Sequence, residues 1–504
     1  MVTAFNNVSE TGAGTEGLRS KMPYPGLRAF ERWESDIFFG REDQVTDLVD
    51  KLLTHKFLIV TGASGCGKSS LVKTGLLNAL QPYGTPAAER EWLFIEFRPG
   101  IAPVWELAGA VVRAAGDQVA GPHNLPSDWA RKQMDLRIRL LGRGIEGFRD
   151  ALENGVFNGP PLFKPGHRIL VLADQFEEVF RYGVRESHLS ARAFHDEAVR
   201  MVNILLGRQP NGGNDDNHMD GGIADAIHVV ITMRTEYLDR CGEFDGLLDA
   251  INTSFAVATD LSGKDLWRAI VGPASKFDGE VQARLAHQLL NEAEETKFDR
   301  LPLLQHALMR SWLFAQPARP GAKIRMMTDD YKKAGSLLEG TAVSRHADEA
   351  YFDLREAGKG QLTEIIFREL TERPIGFGTE AGRDKRRPRR VADLAAVAGL
   401  EGDRWRQMIP TIERFSRPDT NFIVVRSGPE CADGDGGARS LEDCALSLDS
   451  VIDISHEALI RNWKKLSKWV EQEAEDGHLL IQYSAFANRY AGNCSPPCCH
   501  GRPN

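Results

Sequence analysis

The sequence predicts an α/β fold: a doubly wound parallel sheet followed by a helical domain and a winged-helix-like domain. Short continuous apolar runs, which are typical of strands buried on both faces, alternate with segments of helical periodicity over the first half of the chain. Strand-like runs then stop after Leu261, and helical patterns dominate until two short strands near the end. The alternation in the first half is typical of parallel sheets with helices on both faces.

Length and composition fit a globular protein of several domains. The 504 residues correspond to about three domains of roughly 150 residues each, with 42% hydrophobic and 26% charged residues. The net charge of −9 excludes the overall positive field of a dedicated nucleic-acid or anionic-membrane binder, although a local basic patch remains open. The low content of seven cysteines, four of which stand far apart, and the lack of an apolar stretch of about 18 residues predict a cytoplasmic protein without a membrane segment.

The first half of the chain holds a leader and the predicted sheet. Residues 1–22 contain too few apolar side chains to offset the entropy of ordering, so we expect a flexible leader. Residues 23–262 form the sheet domain, in which a helix over Asp43–His55 precedes the first strand and a surface loop lies at 209–222. The predicted strands are Phe57–Val60, Trp92–Phe97, Ile169–Leu172, Val229–Met233 and Phe255–Ala258.

The second half is predicted to be mainly helical. We expect a helical domain at residues 263–345 and a winged-helix-like domain of three helices and two strands at residues 346–475. Residues 476–504 form an atypical tail, in which we expect a truncation or a shifted reading frame. The predicted elements are helices over Val281–Glu294, Pro302–Trp312, Leu362–Thr371, Val391–Ala398 and Trp405–Phe415, and strands over Phe422–Arg426 and Val451–Ile454.

A glycine-rich segment of the pattern G-x-x-x-x-G-K-S lies between the first strand and a helix. Its glycines let successive backbone N–H groups converge on phosphate oxygens, and the helix that follows adds its positive end. Lys68 is expected to reach the β- and γ-phosphates, and the Ser69 hydroxyl to bind Mg²⁺, which prefers oxygen ligands. The candidate nucleotide-binding residues here are Gly62, Ala63, Ser64, Gly65, Cys66, Gly67, Lys68, Ser69 and Ser70.

Charged residues follow or end two further strands. Asp174 follows the third strand, and we expect it to bind the same Mg²⁺, since ligands of open α/β sheets lie beyond the carboxyl ends of the strands. Glu177 or Glu178 is expected to orient the water that attacks the γ-phosphate, and the sequence does not choose between them. The fourth run is followed by Arg234, which we expect to stabilise γ-phosphate charge. The alternatives are an acidic helix N-terminus for the carboxylates and a surface salt bridge for the arginine.

Seven sequence segments, in the order in which they occur along the chain, resemble those of the STAND NTPases and, within this class, of the bacterial group of novel STAND NTPases. The resemblance covers about Tyr24–Glu475 and implies a P-loop NTPase, with Walker A and Walker B motifs, that binds ATP or ADP with Mg²⁺ and hydrolyses ATP slowly. The spacing of Asp174, Glu177 and Glu178 is also similar to the acidic cluster of the related NACHT NTPases. Besides the phosphate loop, the matching segments are Tyr24–Glu31, Phe38–Glu42, Leu172–Phe180, Thr232–Glu236, Leu301–Leu308 and Ile454–Trp463.

Further site residues are implied by this resemblance alone. Gly40 and Arg41 would lie near the adenine, and Pro302 would pack on the base unless it only occupies the first turn of its helix. His456 is similar to a histidine that touches the β-phosphate of ADP in related NB-ARC proteins, although the surrounding motif differs here. The alternative for His456 is a residue that caps its helix or packs under the two strands.

The resemblance also implies a signal-transduction switch. ADP would hold the domains closed, and ATP would favour an open form able to self-associate, with effector or sensor functions on partner proteins. Family members usually carry an effector domain and repeats, which this sequence does not show, so a degenerate nucleotide-binding fragment is one alternative. The other is an ATP-dependent DNA-binding transcriptional regulator that uses the basic run Arg383–Arg390.

For that basic run, a solvated loop fits an acidic chain better than a DNA contact does, so we expect no nucleic-acid partner. Cysteines and a histidine in the tail could in principle form a metal site. Adjacent ligands near a terminus with no second half make a poor one, however. These residues are Cys494, Cys498, Cys499 and His500.

Overall fold

A computed structural model describes residues 22–120, 129–156, 159–181, 191–208, 223–315, 322–372, 385–426 and 446–473. The predicted leader up to residue 21, the 209–222 loop and the 476–504 tail lie outside the described residues. The described chain divides into two compact units, one that ends at Leu338 and one that runs from Glu339 to Arg426 and continues from Ser447. None of the helices in these ranges has the length and hydropathy that a transmembrane segment requires.

The first unit is built on a five-stranded parallel sheet with the strand order β2-β3-β4-β1-β5. The five predicted strands are confirmed, since none of their ends differs from the observed ones by more than two residues. The strands are β1 (Phe57–Gly62), β2 (Trp92–Phe97), β3 (Arg168–Ala173), β4 (Ile227–Arg234) and β5 (Phe255–Val257).

Both faces of this sheet are covered by helices. In β1, Leu58 and Val60 pack into one apolar cluster with Leu48 and Leu76, while Ile59 between them packs into the cluster on the other face. Side chains alternate across a strand, so a continuous apolar run is what burial of both faces requires. The helices of this part are α1 (Glu42–His55), α2 (Lys68–Ser70), α3 (Leu77–Leu80), α4 (Pro103–Ala120), α5 (Trp129–Asn154), α6 (Glu178–Arg181), α7 (Ala191–Leu205), α8 (Ile223–Ala226) and α9 (Leu247–Thr253).

The rest of the first unit is mainly helical but contains two more strands. The prediction that strands stop after Leu261 is wrong, because β6 (Gly279–Val281) pairs in parallel with β7 (Ile324–Met326). Val281 therefore ends a strand, and the helix predicted from that residue begins at Ala283. Each strand has three residues and a partner far along the chain, so neither gives a local signal. The helices here are α10 (Gly263–Ser275), α11 (Ala283–Glu295), α12 (Arg300–Phe314) and α13 (Thr328–Ala334).

The second unit combines helices with short antiparallel strands. Its core surrounds the fully buried Trp463, whose ring contacts Phe367 and Phe415 at centroid distances of 4.9 and 5.8 Å. The segment predicted as one helix over Trp405–Phe415 is a 3₁₀ helix up to Met408 followed by an α-helix. The helices are α14 (Thr341–Glu356), α15 (Gly360–Glu369), α16 (Val391–Val397), α17 (Ile409–Ser416) and α18 (Glu457–Asn462). The strands are β8 (Thr371–Glu372), β9 (Lys385–Arg386), β10 (Arg389–Arg390), β11 (Ile423–Arg426) and β12 (Val451–Ile454).

The described part of the basic run, residues 385–390, is not the solvated loop that we predicted. It contributes β9 and β10, and β10 joins β12 and β11 in a three-stranded sheet. Arg386 is buried, and its guanidinium lies 2.9 Å from the buried carboxylate of Asp453. A buried charge is stable only beside an opposite charge, and Asp453 provides that charge for Arg386. The pairing therefore favours a fixed position of the basic run within this unit.

Candidate functional site

The glycine-rich loop leaves the carboxyl end of β1, between β4 and β5, and curls around a lysine. Gly65 and Gly67 have φ angles of +77° and +89°, the left-handed region that other residues rarely adopt. The loop consequently turns back on itself, and the Lys68 ammonium donates to the carbonyl oxygens of Gly62 and Ala63 at 2.8 and 2.7 Å. The Lys68 side chain is thus bound by the first residues of the loop, although Lys68 itself is the first residue of α2.

Close packing excludes a side chain where the loop begins. A Cβ atom at Gly62 would lie 2.6 Å from the Cys66 sulfur and 2.9 Å from the carbonyl oxygen of Ala258. Cys66 is buried, whereas Ala63 is exposed and Ser64 half-buried. The backbone carbonyl oxygens of the loop therefore form the short contacts with the Lys68 ammonium, and the Cys66 sulfur lies 3.9 Å from it.

The residue after the lysine is joined to the third strand of the sheet. The Ser69 hydroxyl donates to Oδ1 of Asp174 at 2.8 Å, and the Thr232 hydroxyl donates to the same atom at 2.6 Å. Burial alone would raise the pKa of Asp174. Arg98, Lys73 and the two hydroxyl groups instead hold that pKa at about 2. Asp174 is therefore a charged oxygen donor directly beside a neutral one, which is the ligand type that Mg²⁺ prefers.

The arginine at the end of β4 lies beside the start of the loop. Arg234 is paired in the sheet register with Gly62, and its Nε lies 3.2 Å from Oε1 of Glu177. Burial raises the pKa of Glu177, although Arg234 and Lys68 act in the opposite direction. Glu177 is therefore a buried acidic residue that lies near two cations, at the edge of the sheet where β3 and β4 end.

The neighbouring carboxylate has a different environment. Oε2 of Glu178 accepts a hydrogen bond of 3.0 Å from the backbone N–H of Gly100, in the loop that follows β2. Glu177 is paired with a charged side chain at the sheet end, whereas Glu178 is bound to a neighbouring loop. The structure thus separates two residues that the sequence left equivalent.

A family model described as Novel STAND NTPase 1 matches residues 23–496. The chain belongs to this family. It is thus a P-loop NTPase of the STAND type, and the expected resemblance is confirmed. Membership indicates nucleotide binding and hydrolysis, and relatives typically bind the nucleotide with Mg²⁺. No curated protein matches the sequence.

Solved structures that are similar to the chain in fold include those of Cdc6p, ORC2 and RuvB proteins. Cdc6p from Pyrobaculum aerophilum is 12% identical, covers 86% of this chain and 94% of its own, and has a TM-score of 0.36. ORC2 from Aeropyrum pernix, solved as ADPNP and ADP complexes, is 13% identical with coverage of 86% and 95% and a TM-score of 0.39. RuvB from Thermotoga maritima is 14% identical with coverage of 80% and 94% and a TM-score of 0.30. Similarity at this level indicates no shared substrate or partner.

In this STAND NTPase, Arg41 contacts the phosphate loop directly. Its buried guanidinium donates to the carbonyl oxygen of Cys66 at 2.7 Å and to that of Thr259, beyond the end of β5. The preceding Gly40 has a φ of +86°, and a Cβ there would collide with the carbonyl of Asp265 at 2.4 Å. Arg41 therefore links the loop to the sheet end, and its predicted place near an adenine stays a prediction.

Pro302 also lies against the phosphate loop. A Cβ at Gly65 would be 3.3 Å from the Pro302 ring and 3.3 Å from the Cα of Asp299, so the first turn of α12 packs on the loop. Ser70, in contrast, faces away from the lysine, because its hydroxyl accepts a hydrogen bond of 3.0 Å from the Phe30 N–H. The first turn of α12 is thus a neighbour of the site, while the Ser70 hydroxyl holds an N-terminal segment.

His456 lies in the second unit, where it caps a helix. Its Nδ1 accepts a hydrogen bond of 3.0 Å from the N–H of Ala458, at the start of α18. This arrangement is the capping alternative that the sequence left open. A role of His456 at a phosphate stays a prediction.

Sequence reasoning missed two residues that contact Asp174. Thr232 donates to its Oδ1, and Arg98 lies 3.3 Å from its Oδ2. Thr232 lies near the carboxyl end of β4 and Arg98 directly follows β2, and both strands are neighbours of β3. A polar residue at the carboxyl end of a predicted strand was therefore the signal that the sequence offered. The helix-side partner, Ser69, belonged to a continuous motif and was therefore identified.

The residues present fit a nucleotide phosphate chain and Mg²⁺. The loop offers backbone N–H groups in a turn that only glycines permit, Lys68 supplies a cation, and Ser69 with Asp174 supplies adjacent oxygen donors. Among the residues that the structure describes, no cluster of three or more metal-ligating side chains occurs. Mg²⁺ usually needs only one or two protein ligands when phosphate oxygens and water complete its shell.

Proposed function

We propose that this chain is a signal-transduction switch that binds ATP or ADP with Mg²⁺ at Lys68, Ser69 and Asp174. The observation that carries the proposal is the hydrogen bond of 2.8 Å between Ser69 and Asp174. It joins the phosphate loop to the carboxyl end of β3, where the ligands of open α/β sheets bind. Two oxygen donors and one ammonium would thus surround a terminal phosphate bound there.

For hydrolysis, we assign the water-orienting role to Glu177 and a positioning role to Glu178. Glu177 is buried beside Arg234, and burial raises its pKa although Arg234 and Lys68 act in the opposite direction. A carboxylate there can accept a hydrogen bond from the attacking water and so orient it. Arg234 would at the same time stabilise the negative charge that develops on the phosphate. When bound, Mg²⁺ supplies charge neutralisation of the phosphate oxygens. Hydrolysis should be slow, because it resets a state.

The switch itself rests on differential affinity. ADP favours a closed form only if it binds that form more tightly than the open one. Each 1.4 kcal/mol, roughly, of difference in binding free energy shifts the ratio of closed to open form tenfold. We propose that exchange for ATP favours an open form that self-associates. Partner proteins would then supply the effector or sensor function.

The DNA-binding alternative loses support from the second unit. In the described part of the basic run, Arg386 pairs with Asp453, Arg389 with Glu369 and Arg390 with Asp393. Arginines already paired with carboxylates contribute little to phosphate binding. The acidic partners of this segment favour the switch.

The test is the nucleotide that copurifies with the full chain, identified by mass spectrometry, and the oligomeric state before and after ATP is added. The proposal predicts bound ADP and a rise in molecular mass with ATP and Mg²⁺. Nucleotide that binds without any change in shape or mass would favour a degenerate binding fragment. Absence of bound nucleotide, together with no binding of added ADP, would contradict the proposal.

A further inference from the structure

The loop after β2, residues Arg98–Gly100, contacts both ends of the acidic segment that follows β3. The two strands are neighbours in the sheet, and Phe97 is paired in register with Ala173. Arg98 and Asp174, the residues that follow, are thereby placed side by side. The Nε of Arg98 lies 3.3 Å from Oδ2 of Asp174.

This arginine is the cation on the second oxygen of the Asp174 carboxylate. Oδ1 already accepts hydrogen bonds from Ser69 and Thr232, whereas Oδ2 faces Arg98. Lys68 does not serve this purpose, because its ammonium is bound to carbonyl oxygens of its own loop. A buried carboxylate without a counter-charge is strongly unfavourable, so Arg98 stabilises the site in the absence of a metal ion.

The two partners differ in their freedom to move. The Asp174 side chain is 3% exposed, whereas that of Arg98 is 30% exposed. The arginine can therefore withdraw into solvent while the carboxylate stays in place. A divalent cation that approaches Asp174 meets the positive charge of Arg98, and two cations at one carboxylate repel each other.

We propose that Arg98 is a positioning residue that holds Asp174 and competes with Mg²⁺ for this carboxylate. It thereby determines the Mg²⁺ concentration at which the nucleotide complex forms. The inference rests on the proposed function, since it concerns the same binding site. By linkage, the factor by which the Arg98–Asp174 pair weakens Mg²⁺ binding equals the factor by which bound Mg²⁺ weakens the pair. Removing the pair should therefore strengthen Mg²⁺ binding by that factor.

The experiment is a titration of the full chain with Mg²⁺ in the presence of adenylyl imidodiphosphate, a nonhydrolysable ATP analogue. For Arg98→Gln we expect a roughly two- to fivefold lower half-saturating Mg²⁺ concentration, because the pair is partly exposed. We also expect a lower melting temperature without Mg²⁺, which Mg²⁺ and the analogue restore. Arg98→Lys should lie between the parent and Arg98→Gln. The matched control, Arg90→Gln, changes an arginine before the opposite end of β2 and should match the parent.

An unchanged half-saturating concentration in both Arg98 variants would overturn the inference. Weaker analogue binding at saturating Mg²⁺ would overturn it too, because Arg98 would then be a direct phosphate ligand. If Arg98→Gln does not fold, Arg98→Lys decides: a lower half-saturating concentration supports the competition, and an unchanged one refutes it. A parent chain that binds no analogue at any Mg²⁺ concentration would instead refute the proposed function.

Discussion

At the scale of single residues, Asp174 shows how the fold keeps a buried group charged. Its side chain is 3% exposed, which by itself would favour the neutral form. Two hydroxyl groups and nearby cations outweigh this effect and hold the pKa at about 2, below the ordinary 3.8. The charged carboxylate is therefore the form present at any physiological pH.

Replacing this carboxylate by its amide should separate binding from hydrolysis. Asp174→Asn keeps the oxygen that accepts from Ser69 and Thr232 but loses the negative charge. We expect nucleotide binding within a fewfold of the parent and no Mg²⁺-dependent hydrolysis, measured by equilibrium titration and phosphate release. Hydrolysis at the parental rate would contradict the assignment.

The same variant also tests the pKa. A carboxyl group with a lowered folded-state pKa contributes stability that is present above about pH 4 and is lost as the pH falls toward 2. The contribution is about 2 kcal/mol, and Asp174→Asn lacks it. The unfolding free energy of the parent should therefore fall more steeply than that of the variant below pH 4.

The two glutamates should behave differently although they are neighbours. Glu177→Gln removes the charge beside Arg234 and should reduce the hydrolysis rate by about a hundredfold or more while leaving nucleotide affinity largely unchanged. Glu178→Gln still accepts the Gly100 N–H and should retain most of the rate. Single-turnover phosphate release measures both, and the opposite ranking would reverse the assignment.

At the scale of elements, the N-terminal strap, which we define as Pro23–Ile37, joins the helical part to the helix after the phosphate loop. The Tyr24 hydroxyl donates to the carbonyl of Ile270 in α10 at 2.6 Å. Further along, the strap accepts hydrogen bonds from Thr74 and Asn78 and donates one to Ser70. These three residues are four positions apart in a continuous helical segment, in which the π-helix Leu71–Leu76 joins α2 to α3.

Two glycines with the same backbone conformation test how closely the strap packs. Gly26 and Gly84 both have left-handed φ angles, but a Cβ at Gly26 would lie 2.8 Å from the Met309 sulfur, while a Cβ at Gly84 would meet no atom of the described residues within 4 Å. We expect Gly26→Ala to cost about 1–3 kcal/mol more than Gly84→Ala in unfolding free energy, because only the first also overpacks. Equal melting temperatures would show that the strap is loosely attached.

The elements also show how far local sequence patterns predict this structure. The strands of the large sheet were predicted because each contains a short apolar run, such as Phe57–Val60 in β1, which lies between Lys56 and Thr61. The pair β6 and β7 was not, because each strand depends on a partner that only the tertiary fold provides. The site divides in the same way: Lys68 and Ser69 belong to a continuous motif, whereas Arg98 meets Asp174 across 76 residues of sequence.

At the scale of the whole molecule, the part of the chain that the structure describes divides into two compact units. The first carries the phosphate loop, the acidic segment and Arg234, and the second carries the Trp463 core and His456. The switch that we propose requires nucleotide to affect both units. His456 is the residue that tests this requirement.

Two substitutions at this position separate the possible roles. His456→Ala removes the cap of α18 and should destabilise the second unit by about 1 kcal/mol, whereas His456→Asn retains a cap. If His456 also touches bound ADP, as the resemblance to NB-ARC proteins implies, both variants should release ADP faster than the parent in stopped-flow experiments. Parental release rates in His456→Asn would restrict the histidine to capping.

The most direct test of the central claim is calorimetric titration of the full chain with ADP and with ATP, with and without Mg²⁺. The parent and Lys68→Ala are compared, with Lys51→Ala as the control, since Lys51 is a surface lysine paired with Asp47 four residues before it. We predict that the parent and Lys51→Ala bind equally and that Lys68→Ala shows no measurable binding. Equal nucleotide affinity in Lys68→Ala and the parent would contradict the claim that this loop holds the phosphates.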